Sequence, residues 1–187
     1  EAEYVWNWDA PLEISKHRPG RLYFAANKLF RSDDRGNSWT VISEDHSRQI
    51  NRNALPVMGR VWSIDAVAKN TSTSQYGAIV AFSESPRNAN LLVTGTDDGL
   101  IHLTRDGGQS WRKIDSIPGV PLRSYVNEVL TSSHDDQVVY CAFNHHKYGD
   151  YKPYLFRSND QGQTWMSLSK GLPDRGSVYA IAEDHVD

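Results

Sequence analysis

Short apolar runs separated by turn residues recur along the whole chain, and they predict strands. Residues 78–83 and 138–144 are two such runs, rich in β-branched and aromatic residues and of the usual strand length of roughly four to eight. Pro, Asp, Asn or Gly follows many of the runs, and these residues favour tight turns. The pattern therefore predicts an all-β chain built from antiparallel hairpins.

An eight-residue motif occurs three times between two such runs. It reads hydroxyl residue, any residue, Asp, any residue, Gly, any residue, hydroxyl residue, Trp. The Asp carboxylate can accept backbone N–H groups, the Gly can adopt a positive φ angle, and the Trp can pack into a core. The motif therefore predicts a tight turn between two strands. Its main positions are Ser32, Asp34, Gly36 and Trp39; Thr104, Asp106, Gly108 and Trp111; and Ser158, Asp160, Gly162 and Trp165.

The motif resembles the Asp-box, or BNR repeat, of sialidase-like and sortilin-like β-propellers. Three parts of the chain, namely Ser15 with residues 22–24, residues 29–32 and residues 177–185, look most like large bacterial extracytoplasmic proteins of the sortilin-like or glycosyl-hydrolase-like class. This resemblance implies a secreted or cell-envelope location and a long parent chain. It transfers no catalytic residue, because in family members that are enzymes the box lies on the face away from the active site. Catalysis by the box aspartates remains the alternative to a purely structural turn.

Four strands surround each motif, which is the arrangement of a propeller blade. The first strand of blade one is predicted at residues 5–14, and Asp97-Asp98-Gly99 is predicted to form a tight hairpin turn. We predict a partial β-propeller with three four-stranded antiparallel blades and the first strand of a fourth. Because three blades cannot close a ring, we expect a fragment of a longer chain whose open blade faces meet the remaining blades or self-associate. The predicted boundaries are blade one at 1–43, an inserted loop at 44–77, blade two at 78–117, blade three at 125–170 with an inserted loop at 144–153, and the start of blade four at 177–187.

Both inserted loops are predicted to lie on one face of the propeller. Strands of a meander alternate in direction, so the loop between the second and third strands emerges on the same face as the connection between blades. The repeated motifs, between the third and fourth strands, then lie on the opposite face. Long loops on a rigid scaffold are common binding sites. The sequence therefore predicts that a protein, peptide or glycan binds on the face opposite the motifs.

Aromatic and histidine side chains of the two insertions are the candidate binding residues. Such rings can stack on sugars or anchor a protein, and the alternative is that they fold the insertions onto the propeller. Two adjacent histidines and Asp150 could also hold a metal, but neighbouring side chains point in different directions on an extended chain. We therefore expect neither a metal nor a cofactor. The candidates are Trp62, Tyr76, His145, His146, Tyr148 and Tyr151.

Glycoside hydrolysis would need two carboxyl groups flanking the scissile bond. Asp9 and Glu128 lie on predicted first strands, which line the central channel, and Asp65 lies in the first insertion. The alternative is that all three are ordinary solvated carboxylates. We favour a non-catalytic binding module and keep part of a glycoside hydrolase as the alternative. An acidic sugar would call for converging arginines, and the arginines considered for this role, in blade-to-blade segments, are Arg48, Arg52, Arg60 and Arg123.

Composition excludes several classes of partner. The net charge is −3 and no run of Lys or Arg occurs, so nucleic acid and anionic membrane surfaces are not expected. The apolar run at 78–82 is far too short to span a bilayer. The single cysteine, Cys141, lies in an apolar strand and is predicted to be a buried residue rather than a nucleophile. Asn70 begins an Asn-Thr-Ser glycosylation pattern, which matters only if the protein passes through a eukaryotic secretory pathway.

Overall fold

The computed structural model describes residues 4–67, 69 and 76–186, and their regular structure is almost entirely β-strand. The glycosylation pattern at Asn70 lies outside these residues. Within them, twelve strands form three antiparallel sheets of four strands, and each sheet keeps its strands in sequence order. Single 3-10 turns occur at Arg52–Ala54 and His146–Tyr148. The described residues include no helix that could cross a lipid bilayer.

Each sheet matches one predicted blade, and the all-β class and the partial propeller are confirmed. Blade one consists of β1 (Leu12–Ile14), β2 (Leu22–Ala25), β3 (Leu29–Ser32) and β4 (Thr40–Val41). Blade two consists of β5 (Ile79–Glu84), β6 (Leu92–Thr96), β7 (Ile101–Thr104) and β8 (Arg112–Ile114). Blade three consists of β9 (Tyr125–Thr131), β10 (Val139–His145), β11 (Asp150–Ser158) and β12 (Met166–Ser167).

Two predicted boundaries differ from the structure. The first strand was expected at residues 5–14, but β1 covers only Leu12–Ile14, because a turn precedes it and Pro11 has no N–H to donate to a ladder. The loop predicted at 144–153 is mostly an extension of the β10–β11 hairpin. His145 pairs with Asp150 across the 3-10 turn, and Gly149 closes that turn with a φ angle of 78°.

Residues 177–183, expected to form the first strand of a fourth blade, pair with no strand among the described residues. They are nevertheless held against blade three through Glu183, which accepts hydrogen bonds from Ser132, Ser133 and Tyr140. The same arrangement joins blades one and two, where the buried carboxylate of Glu84 accepts from Ser15, Lys16 and Tyr23. This segment therefore occupies the position of a first strand without forming a ladder.

The hydrophobic core lies between the blades. One cluster joins Tyr23, Ala25 and Leu29 of blade one to Ile79, Phe82 and Leu92 of blade two. A larger cluster joins blades two and three and includes Cys141, which is fully buried as predicted. Burial raises the pKa of the Cys141 thiol, so the group stays protonated. Each blade is therefore stabilised by the apolar face of its neighbour.

A stacked pair of histidines is buried between blades one and two. The rings of His46 and His102 lie 4.0 Å apart and nearly parallel, and His46 Nδ1 lies 2.9 Å from Thr94 Oγ1. Burial lowers the pKa of His46 to about 2 and that of His102 to about 4. Both rings are therefore neutral at pH 7, and the stability that they contribute is lost as the pH falls below about 6.5.

The three repeated motifs form tight turns, called repeat turns here, with the same hydrogen bonds. In the first, Asp34 Oδ1 accepts Ser32 Oγ and the Ser38 N–H, both at 2.8 Å, and Asp34 Oδ2 accepts Ser38 Oγ at 2.6 Å. Equivalent bonds surround Asp106 and Asp160. Hydrogen bonds from Ser38, the second hydroxyl residue of the motif, lower the pKa of Asp34 to about 2. Equivalent hydrogen bonds lower the pKa values of Asp106 and Asp160.

The second and third repeat turns also dock on the fourth strand of the preceding blade. The Trp111 indole N–H donates to the Ile42 carbonyl oxygen at 2.9 Å, and Arg112 Nη1 donates to the Gly162 carbonyl oxygen at 3.1 Å. Trp39 has no preceding blade among the described residues. Its indole N–H donates to the carbonyl of Gly36 in its own turn, and the side chain is 40% exposed.

We predict that Gly108→Ala destabilises the protein more than Gly36→Ala. Both glycines have φ angles of 90–98°, where an alanine costs about 1–2 kcal/mol. At Gly108 the added Cβ would lie 2.7 Å from the Ile42 carbonyl oxygen, whereas at Gly36 the nearest atom, Leu22 Cδ1, is 3.6 Å away. Urea denaturation should show a free energy of unfolding roughly 1–3 kcal/mol lower for Gly108→Ala than for Gly36→Ala. Equal losses would contradict the docking of this turn on blade one.

Candidate functional site

The two insertions border one open cavity of about 1560 Å³. The repeat turns lie away from it, beside the loops between the first and second strands, as the hydrogen bonds from Gly107 N to Asn90 O and from Gln161 N to Gln137 O show. The two faces therefore separate as the strand directions predict. The cavity is lined by Asn7, Trp8, Asp9, Arg52, Leu55, Pro56, Val57, Arg60, Val61, Trp62, Ser63, Asp65, Ala66, Val67, Lys69, Tyr76, Asp97, Arg123, Tyr125, Asn144, His145, Lys147 and Tyr148.

Four of the six candidate binding residues line this cavity. They are Trp62 and Tyr76 of the first insertion, and His145 and Tyr148 of the second. His145 stacks on Tyr148 with ring centroids 4.4 Å apart, and its Nδ1 lies 3.0 Å from Ser124 Oγ. Burial, with a smaller contribution from the charge of Arg123, lowers the pKa of His145. The imidazole is therefore neutral at pH 7.

The other two candidates, His146 and Tyr151, do not line the cavity. Their rings lie 6.3 Å apart, and His146 also faces Tyr179, whose hydroxyl is 3.4 Å from His146 Nδ1. Arg175 covers the Tyr151 ring at 5.4 Å. The adjacent histidines thus point to different neighbours. Among the described residues no group of three or more His, Cys, Asp or Glu is arranged to hold a metal ion.

Three of the four arginines considered for an acidic sugar line the cavity, namely Arg52, Arg60 and Arg123. Arg48 instead ties the first insertion to blade two, because its guanidinium donates to the backbone carbonyls of Asp98, Gly99 and Asp115. The wall of one cavity therefore includes three arginines that sequence spacing alone did not bring together.

The candidate catalytic carboxylates are divided between two places. Asp9 and Asp65 line the cavity, and Asp9 Oδ2 accepts the Tyr125 hydroxyl at 3.0 Å. Glu128 lies outside it and accepts the backbone N–H of Ile181, which fixes the segment after blade three. Burial raises the pKa of Glu128 above its ordinary range. The structure thus does not group the three candidates into one site.

Asp97 is a buried carboxyl in the cavity wall. The sequence predicts a tight hairpin turn at Asp97-Asp98-Gly99, and the structure has that turn, with the Gly99 N–H donating to Thr96 O. Asp97 Oδ1 accepts the N–H groups of Gly77 and Ala78 at 2.9 Å, and Oδ2 accepts Asn7 Nδ2 at 3.0 Å. Burial outweighs these bonds and raises the pKa of Asp97 to about 6.

Several lining residues were missed as candidates, among them Trp8, Asp97 and Lys147. Trp8 was assigned to a strand that does not extend so far, and Asp97 was interpreted only as a turn residue. Lys147 lies between His146 and Tyr148 in the second insertion, so a basic residue flanked by aromatic ones is the sequence signal that could have identified it.

No family model matches this chain, and no curated protein matches it. Among solved structures it is similar to an ancestral GH74 enzyme, with a TM-score of 0.56 and 13% identity over 89% of this chain and 19% of that one. YCF48 bound to D1 peptide gives a TM-score of 0.48 at 17% identity, covering 89% of this chain and 42% of that one. The GH74 xyloglucanase from Xanthomonas campestris gives a TM-score of 0.38 at 16% identity, covering 84% of this chain and 29% of that one. The chain spans about a fifth of the ancestral enzyme, and this likeness shows a shared β-propeller fold alone.

We predict that the Asp97 carboxyl titrates near pH 6. A folded-state pKa above the usual value of about 3.9 means that the folded protein binds this proton more tightly than the unfolded chain does. The resulting stability is complete below about pH 4 and is lost as the pH rises through 6. Carboxyl 13C NMR, with the signal assigned by Asp97→Asn, measures the midpoint. Exposed Asp174 is the control, and a midpoint near 4 for Asp97 would contradict the buried environment.

Proposed function

We propose that this chain is a non-catalytic β-propeller module that binds a glycan in the cavity between its two insertions. The observation that carries the proposal is the set of exposed rings around one open cavity. Trp8 is 82% exposed, Tyr148 52% and Trp62 38%. Arg60 lies over the Trp62 ring, and Tyr148 contacts His145 and Arg123, so Trp8 offers the most open ring. Indole and phenol rings present flat apolar faces on which sugar rings can stack. Exposed aromatic side chains grouped in this way are rare without a ligand.

The size and polarity of the cavity favour an oligosaccharide. Its volume of about 1560 Å³ exceeds the roughly 300–1,000 Å³ of pockets that enclose small molecules. Amide, hydroxyl and carboxylate groups, including Asn7, Ser63 and Asp9, line the same walls and offer hydrogen bonds to sugar hydroxyls. Open, mixed aromatic and polar walls suit a sugar chain better than a closed apolar pocket would.

The family resemblance supports the same assignment. The sequence of the three repeat turns resembles the Asp-box, and the carboxylates of Asp34, Asp106 and Asp160 each accept hydrogen bonds within their own turn. A structural role for these carboxylates leaves the opposite face for binding. On the resemblance alone, we place the module in a secreted or cell-envelope protein.

A glycoside hydrolase is the second candidate, and Asp97 is the observation that favours it. Its raised pKa is typical of a general acid, and Asp9 supplies a second carboxyl group in the same cavity. Three N–H donors occupy both oxygens of Asp97, however, and those donors hold the junction of the first insertion with blade two. A general acid must present its proton to the substrate, so we favour binding without catalysis.

A glycan array followed by calorimetry with the best ligand tests the proposal. We expect Trp62→Ala to weaken binding by roughly 1–2 kcal/mol, since a buried aromatic contact is lost. Trp39→Ala is the matched control, because Trp39 is also about 40% exposed but lies outside the cavity. Thermal unfolding should confirm that both variants are folded.

Two outcomes would contradict the proposal. Equal loss of affinity in the Trp62 and Trp39 variants would place the binding elsewhere. Release of reducing ends from the bound glycan, abolished by Asp97→Asn, would assign the module to the hydrolases.

A further inference from the structure

The cavity is more basic than the rest of the chain. Five basic and three acidic side chains line it, whereas the whole chain has a net charge of −3. Two of the basic side chains, Arg52 and Lys69, donate to backbone carbonyls of the first insertion and so help to fold it. The other three, Arg60, Arg123 and Lys147, have a different environment.

Arg60, Arg123 and Lys147 form no ion pair and donate no side-chain hydrogen bond within the part of the chain that the structure describes. Each lies over an aromatic ring instead. Arg60 Cζ is 3.4 Å from the centroid of the Trp62 ring, and Arg123 Cζ is 5.5 Å from that of Tyr148. Lys147 Nζ is 5.9 Å from the Tyr76 ring and 5.6 Å from the Tyr125 ring.

A ring face orients a cation without neutralising it. The N–H donors around the edge of a guanidinium, and the three of an ammonium, remain available to an oxyanion. None of the three carboxylates that line the cavity forms an ion pair with these cations. Asp97 accepts backbone and amide N–H groups, Asp9 accepts the Tyr125 hydroxyl, and Asp65 accepts the Ser63 hydroxyl. Among the described residues the three cations are therefore oriented by rings and have no direct carboxylate partner.

Blade one shows the usual alternative. There Arg18, Arg21 and Arg31 converge on one carboxylate, Asp33, with N–O distances of 2.6–3.5 Å. Blade one therefore gives its clustered arginines a shared carboxylate partner, whereas Arg60, Arg123 and Lys147 have none among the described residues.

Arg123 and Lys147 lie in the same part of the cavity. Lys147 faces the Tyr76 and Tyr125 rings, while the Arg123 guanidinium covers Tyr148, the residue after Lys147. Arg60 and Trp62 lie on the first insertion. Arg123 and Lys147 therefore border one part of the cavity, and a ring-stacking position lies elsewhere in it.

On the basis of the proposed glycan binding, we infer that the ligand is an acidic glycan whose oxyanion contacts Arg123 and Lys147. A carboxylate on a uronic acid and a sulfate on a sugar hydroxyl share this chemistry. Guanidinium groups bind both in bidentate fashion, and the ammonium of Lys147 adds a point charge. The sugar ring next to the charged one would stack in the region of Trp62.

Matched pairs of glycans test the inference. The probes are oligogalacturonides and their methyl esters for the carboxylate, and sulfated carrageenan oligosaccharides and their desulfated, neutral counterparts for the sulfate. In at least one of the two pairs, we expect the glycan that carries the carboxylate or sulfate to bind at least ten-fold more tightly than its uncharged partner at low salt. Raising the salt concentration should reduce that preference, because exposed charges are screened.

Charge-removing variants localise the effect. Arg123→Met and Lys147→Met keep the aliphatic stems and should each weaken binding of the acidic glycan roughly ten- to a hundred-fold, the value of a lost charged hydrogen bond. The control is Arg105→Met, since Arg105 is exposed in the second repeat turn, outside the cavity. The Arg105→Met variant should bind the acidic glycan with the same affinity as the unchanged protein.

The outcomes separate the two proposals. If neutral and acidic members of both pairs bind equally and the Arg123 and Lys147 variants are unaffected, the acidic ligand is wrong and the glycan module stands. If none of these probes and no glycan on an array binds, both proposals fall. If the two cavity variants and the Arg105 variant all lose affinity alike, the preference reflects overall charge and the assigned site is wrong.

Discussion

The contact of the second and third repeat turns with the fourth-strand side of the preceding blade is the interaction on which this fold depends. Within a turn, the Asp carboxylate holds the backbone in a shape that places a Gly and a Trp against the neighbouring sheet. Gly108 approaches the Ile42 carbonyl so closely that no side chain fits, and Trp111 donates to the same oxygen. The hydrogen bonds within the turn and the packing between blades therefore depend on the same residues. The same close approach recurs at Gly162, which lies against the Ile114 side chain.

The docking of the repeat turns also explains why the contacts that hold the blades together and the proposed binding site lie on opposite faces. The repeat turns satisfy their own carboxylates, so the face that carries them offers little unused chemistry. On the other face, the connections between blades are free to lengthen, because the turns and the glutamate contacts at Glu84 and Glu183 already hold the blades together. The basic side chains there are oriented by rings instead of carboxylates, which leaves their charge available to a ligand.

Much of the fold could be predicted because its signals are local. The repeat turns combine an Asp, a Gly and a Trp at fixed spacing, and strand alternation assigned the insertions to one face. The first strand of blade one was predicted too long because Pro11 was given too little weight. The site was harder, since it depends on how distant segments meet. Spacing could not show that Arg60 and Arg123 share a cavity, nor that the turn residue Asp97 is buried in its wall.

The most direct test of the central claim is a double-mutant cycle between Trp165 and Ile114, measured by urea denaturation. Both side chains lie within 3.2 Å of the position that a Cβ would take at Gly162, so they meet at the third repeat turn from two neighbouring blades. If the repeat turn docks on the preceding blade, the two alanine substitutions should show a coupling free energy of about 1 kcal/mol or more. The control pair, Trp39 and Ile114, lies in blades one and two without this docking relation and should show coupling near zero. Additive losses for Trp165 and Ile114 would contradict the account.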